Sequence, residues 1–113
     1  MPDYSKLPAP TVKRIPVSEL RELFDYENYW ERAQRGEFHK VVISSHVPDA
    51  PKEPIGTESQ MISIRRGDGF EVARAHAYIR PDKTIGASGK PDPKIVYDQT
   101  GNVLYMQERK PKE

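Results

Sequence analysis

The chain has 113 residues, enough for one domain and one modest core, with 35% hydrophobic and 31% charged side chains. A formal net charge of +1 excludes a global field for nucleic acid, so any basic patch must be local. The absence of cysteine excludes disulfides and thiolate metal sites, and no apolar run approaches the ~20 residues a membrane helix needs.

Residues 1–15 combine Pro2, Pro8 and Pro10 with Asp3, Lys6, Lys13 and Arg14 and show no apolar periodicity. They read as an extended or disordered tail, as does the charged end 107–113. The single folded domain is expected over residues 16–106. The N-terminus lacks an apolar signal-peptide core, so the chain is expected in the cytoplasm, without a membrane partner.

Ser18 is a favoured N-cap, with Glu19 and Glu22 in the first turn. Leu20, Leu23 and Phe24 follow at helical spacing, and Asp25 could cap a second helix from Tyr26 to Arg35, stopped by Gly36. One bent helix or two short ones both fit. The first strand is expected over 38–47, with Val41, Ile43 and Val47 on one face and Lys40, Ser44 and His46 on the other. Residues 48–57 hold three prolines and form a loop.

Strands are next expected at Ser59 to Arg66 and at 70–80, joined at Asp68-Gly69. A two-residue type I′ turn there would pair Gly67 with Phe70, Arg66 with Glu71, Ile64 with Ala73 and Ile62 with Ala75. A bulged three-residue loop is the alternative. Read with period two, 70–80 puts Glu71, Ala73, Ala75, Ala77 and Ile79 on one face. Phe70, Val72, Arg74, His76, Tyr78 and Arg80 take the other. A loop over 81–93 precedes a last hairpin, Ile95–Tyr97 with Val103–Met106. The fold expected is α+β: an N-terminal helix, or two short helices, on a twisted, mostly antiparallel sheet of four to five strands.

The open sheet face gathers His46, Arg65, Arg74, His76, Tyr78 and Arg80, with Ser44 and Ser63 between them. Arginine stabilises an anionic phosphorane, and histidine or tyrosine relays protons. The candidate catalytic residues are therefore Arg74, His76 and Tyr78. The candidate binding residues are His46, Ser63, Arg65, Arg74, Arg80 and Lys90. The plainer reading is a solvated sheet face with long side chains lying over Val72 and Met61.

Thr84-Ile85-Gly86-Ala87-Ser88-Gly89-Lys90-Pro91 departs from a nucleotide P-loop at its first glycine and at the hydroxyl that would reach magnesium. It reads as a tight connection or a small anion nest near Ser88 and Lys90. His39 and His46, seven apart on one strand, should point to opposite faces. His46 and His76 alone could converge, too few ligands for structural zinc, so neither metal nor cofactor is expected.

An N-terminal helix followed by a twisted antiparallel sheet with Arg74, His76, Tyr78 and Arg80 on its exposed face resembles the barnase–EndoU–colicin–RelE group of small ribonuclease toxins. The resemblance is architectural, covers residues 18–106 and rests on no sequence motif. It implies metal-independent RNA cleavage by those four residues.

Three functions follow. The favoured one is a binding module that presents the cationic face to an anionic partner, a nucleic acid or an acidic protein. The second is a ribonuclease of toxin type. The third is an interaction or inhibitor-like protein using Tyr26, Tyr29 and Tyr97. A contact between His76 and Tyr78 around a concavity favours the enzyme, a flat wet face the binding module, and a face covered by a second chain the interaction protein.

Overall fold

The computed structural model describes residues 10–48, 52–86, 89–98 and 100–108. In chain order the elements are β1 (Thr11–Ile15), α1 (Val17–Tyr26), α2 (Tyr29–Gln34), β2 (His39–His46), β3 (Glu58–Arg65), β4 (Glu71–Ile79), β5 (Asp92–Tyr97) and β6 (Val103–Gln107). They build one six-stranded sheet in the order β1-β6-β5-β4-β3-β2. β1 runs parallel to β6, and every other pairing is antiparallel. The class is α+β, and the sheet is larger than the four to five strands expected, and mixed. The additional strand is β1, which lies inside the segment read as a tail; likewise Gln107 belongs to β6.

β1 and β2 are the two edges of the sheet, so the chain between them crosses one whole face. That crossing carries both helices. The N-cap of α1 is Pro16 rather than Ser18, and Pro16 makes no side-chain capping bond. Its fixed φ of −58° suits the turn out of an extended strand, and its carbonyl accepts the Leu20 N–H at 3.1 Å. The helices are broken at Asn28, which takes the left-handed conformation that asparagine tolerates. α2 ends as expected at Gly36, with φ of +88°. The N–H groups of Gly36 and Glu37 close back on Ala33 and Arg32, the paired bonds of a Schellman cap.

Leu20, Phe24, Tyr29 and Ala33 from the helices meet Ile64, Val72, Ala73, Ala75 and Val96 from the sheet. Trp30, Leu23 and Phe38 pack at the margin of this core. The alanine row of β4 faces the helices, as the alternation required. Tyr29 stands between the rings of Phe24 and Phe38, at 6.1 and 5.8 Å.

The β3–β4 register matches expectation through its middle: Ile64 pairs with Ala73, Ser63 with Arg74, Ile62 with Ala75 and Met61 with His76. The turn is the three-residue alternative. Gly69 N–H bonds to the Arg66 carbonyl and Arg66 N–H to Phe70, both at 2.9 Å, with Gly69 at φ +91°. This is a type I turn closed by a left-handed glycine. The one-residue offset is absorbed by a bulge at Val72, since Arg65 pairs with Glu71 while Ile64 keeps Ala73. The bulge reverses the faces beyond it. Val72 and Phe70, expected on the open face, join the core side, and Glu71 moves to the open face. Arg66, expected opposite Glu71, pairs with Asp68 at 2.9 Å.

A second bulge at Ile43 shifts β2 between Val42 and Ser44. His39 registers with Arg65 and His46 with Ser59. Both histidines therefore share the open face, against the opposite faces expected from seven-residue spacing. Lys40 and Val42 turn to the helix side, opposite Ile64 and Ile62. A third bulge, at Lys94, lies between the Arg74–Ile95 and Ala75–Pro93 pairs.

Candidate functional site

β4 alternation delivers Arg74, His76 and Tyr78 to the open face together with Ser59, Met61, Ser63 and Arg65 of β3. The structure then divides this row into two chemically different regions.

At the turn end, charge is spent internally. The Arg74 guanidinium forms two hydrogen bonds to Glu71, at 3.1 and 3.2 Å. Ser63 is fully buried; its hydroxyl donates to Glu71 and accepts from Arg65 Nε at 3.0 Å. The Val72 bulge is the cause, because it swings Glu71 into the row. Arg80, one residue beyond β4, is held by Glu53 at 2.9 Å. The Glu53 carboxylate is only 8% exposed and lies against Gly86, tying the 52–57 loop to the loop that follows β4. Arg65, Arg74 and Ser63 thus gather around Glu71, while Arg80 is held apart from them by Glu53.

At the other end, β5 begins opposite His76, so Ala77 and Tyr78 continue past it. This step in the sheet opens a cavity of about 460 Å³ lined by Arg21, His76, Ala77, Tyr78, Gly86, Lys90, Asp92 and Lys94. The His76 and Tyr78 rings meet edge to face with centroids 4.8 Å apart. His76 Nε2 and the buried Ser59 hydroxyl share a hydrogen bond of 2.6 Å, which leaves Nδ1 as the ring nitrogen outside that bond. Burial, followed by the Lys94 charge, holds the His76 pKa below its ordinary value of 6.5, so the imidazole is neutral at pH 7.

Asp92 forms ion pairs with Arg21 at 3.1 Å and Lys94 at 2.8 Å. Burial opposes its ionisation, but the bonds and charges of Lys94 and Arg21 win, and its pKa is lowered. Among the described residues three cations, Arg21, Lys90 and Lys94, line the cavity with one carboxylate. A net positive, partly desolvated hollow beside a neutral imidazole and a phenol suits a phosphate-sized anion.

Of the residues singled out from sequence, His76, Tyr78 and Lys90 come together here. His46 stays on exposed β2, registered with Ser59. Arg21, Ser59, Asp92 and Lys94 were not anticipated. Arg21 comes from the crossover helix, and Asp92 lies in the stretch 81–93 expected as a loop but opens β5. Alternation on β3 carried the one available signal, since Ser59 lies two positions before Met61. Of the tyrosines suggested for an interface, Tyr29 is buried, Tyr97 packs on Phe70 at 5.3 Å, and Tyr26 is 82% exposed. Among the described residues no helix is long and apolar enough to cross a membrane.

Fold and site together define a small α+β domain with a helix pair on one sheet face and a cationic hollow at a step in the sheet. Compared with known protein families, curated proteins and solved structures, the chain matches none.

Proposed function

We propose that the protein is a small binding module that takes a phosphate group of a nucleic acid in the hollow between Tyr78 and Lys90. The observation that carries this reading is the convergence of cationic side chains on that hollow: among the described residues Arg21 of α1, Lys90 of the loop and Lys94 of β5 line it around Asp92. Elsewhere on the row, arginine is matched to carboxylate, Arg74 to Glu71 and Arg80 to Glu53. The test is binding of a fluorescent single-stranded RNA between 50 and 200 mM salt. Replacing Lys90 and Lys94 by alanine should weaken binding and flatten the salt slope by about 0.7 per lost phosphate contact. Arg74→Ala should change little. Binding that depends on Arg74 and ignores both lysines refutes the reading.

A second reading, metal-independent RNA cleavage, is favoured by the His76–Tyr78 contact at the cavity wall. Neutral His76 would take the proton of a ribose 2′-hydroxyl as its oxygen attacks phosphorus. The bond to the 5′-oxygen breaks, and that oxygen takes a proton from Tyr78 or a lysine, while the cations stabilise the phosphorane. Removal of His76 should then cut turnover ~10²–10⁴-fold with binding retained. Intact RNA after prolonged incubation without metal eliminates this second reading and leaves the first standing.

A further inference from the structure

β2 is the outer strand at one side of the sheet, and every residue from His39 to His46 is exposed. Val41, Val42 and Ile43 are 37%, 50% and 47% exposed, an apolar run of three on an edge whose outward backbone groups have no strand partner among the described residues. Such an edge templates the addition of another strand unless charge or proline blocks it, and β2 contains one lysine and no proline.

Beneath this edge, on the helix side, lies a second hollow of about 290 Å³. Trp30, Val42, Ile79 and Ile85 give it an apolar floor, and Lys40 and Lys83 stand in its wall. Among the described residues no carboxylate lines it. The nearest acid on that side of the neighbouring strand, Glu58, accepts hydrogen bonds from Gln60 and Ser45. Lys40 lies over the Trp30 ring at 5.0 Å. A strand laid along β2 would send alternate side chains to this side, one beside Val42 and the next beside Lys40. The complement is an apolar residue with a carboxylate two positions away.

We infer that the β2 edge docks an extended acidic segment of a partner protein, added to the sheet as a seventh strand. Its backbone pairs with β2, one apolar side chain enters the hollow against Trp30, and carboxylates meet Lys40 and Lys83. A second copy of this chain is the poorer occupant, because β2 carries no carboxylate to offer those lysines. This surface is separate from the phosphate hollow and does not depend on that reading.

Trp30 is the single tryptophan, so its emission reports directly on the hollow. The probe is a capped peptide, Thr-Val-Thr-Glu-Thr-Val-Thr-Glu, with a control in which lysine replaces glutamate. The acidic probe should shift Trp30 emission in a saturable way and slow amide exchange along His39–His46. The control should bind about tenfold more weakly, the effect of exchanging two surface ion pairs for two repulsions. Lys40→Glu with Lys83→Glu should invert that preference. The inference is overturned by unchanged emission and exchange at millimolar probe, by equal binding of the two peptides, or by a solution dimer that Val42→Arg dissociates. The exchange measurement uses the unmodified protein and stands whether or not the double variant folds.

Discussion

Replacing Ala75 by leucine is the sharpest test of how the helices sit on the sheet. Ala75 is fully buried, with Ile62 across one strand boundary and Pro93 across the other, and it belongs to the cluster that includes Leu20 and Phe24 of α1. Leucine adds three carbons. With room to spare, each would contribute roughly 0.8 kcal/mol through burial. Room is what the alanine row denies: Ala73, Ala75 and Ala77 are all buried, and Ala73 and Ala75 belong to the core cluster that the helix layer covers. Overpacking therefore wins, at a cost of about 1–3 kcal/mol. For a domain of this size that lowers the melting temperature by about 5–20 °C. Ile64→Val, a deletion at a fully buried neighbouring position, should cost a smaller ~0.5–1.5 kcal/mol. Circular dichroism melts and urea midpoints measure both. An Ala75→Leu protein as stable as its parent would show that the core around β4 is not tightly packed, and the account of the core would fail.

The depressed pKa of His76 links stability to acidity. The unfolded chain takes up the proton first, so stability should be flat above pH 6.5 and fall as pH drops from 6.5 towards the folded-state value. In His76→Gln that component of the urea-midpoint change between pH 7.5 and 5.5 should vanish; an unaltered pH profile would refute it. Glu71→Ala should act in two directions at once. Ser63 loses its acceptor in a fully buried position, costing about 1–3 kcal/mol, while Arg74 is released and RNA affinity rises. A fall in affinity in the same salt titration would show that Arg74 is not restrained by Glu71.

Alternation and turn chemistry made much of the sheet legible. Ile62, Ile64, Ala73 and Ala75 identify their own register, because a one-residue slip would bury Arg74 against Ile62. The departures share one physical origin. Bulges at Ile43, Val72 and Lys94 each insert one residue into a period of two, and every face assignment beyond an insertion reverses. Nothing in the residues themselves marks those three positions. Glu71 therefore moved to the open face, and His39 joined His46. β1 escaped notice for another reason: Thr11–Ile15 carries no amphipathic pattern and is held by backbone pairing with a distant strand. The hollow was half legible. His76 and Tyr78 follow from β4, and Lys90 from its loop, whereas Arg21 arrives from a helix on the other face, a juxtaposition created by the step between β4 and β5.

The parallel pairing of β1 with β6 also bears on the order in which the molecule assembles. The strands that meet are far apart in sequence; the Arg14–Gln107 hydrogen bond spans 93 positions. In a disordered chain, closing a loop of that length costs about 4 kcal/mol in entropy. Hairpins β3–β4 and β5–β6 close locally and far more cheaply, and they build the platform on which β6 is presented. β1 leaves the ribosome before β6 and has no strand partner among the described residues until β6 follows. Among the described strands the first to be synthesised is therefore the last to be seated, and a nascent chain halted before Val103 holds two helices and a four-stranded platform with one flank unfinished.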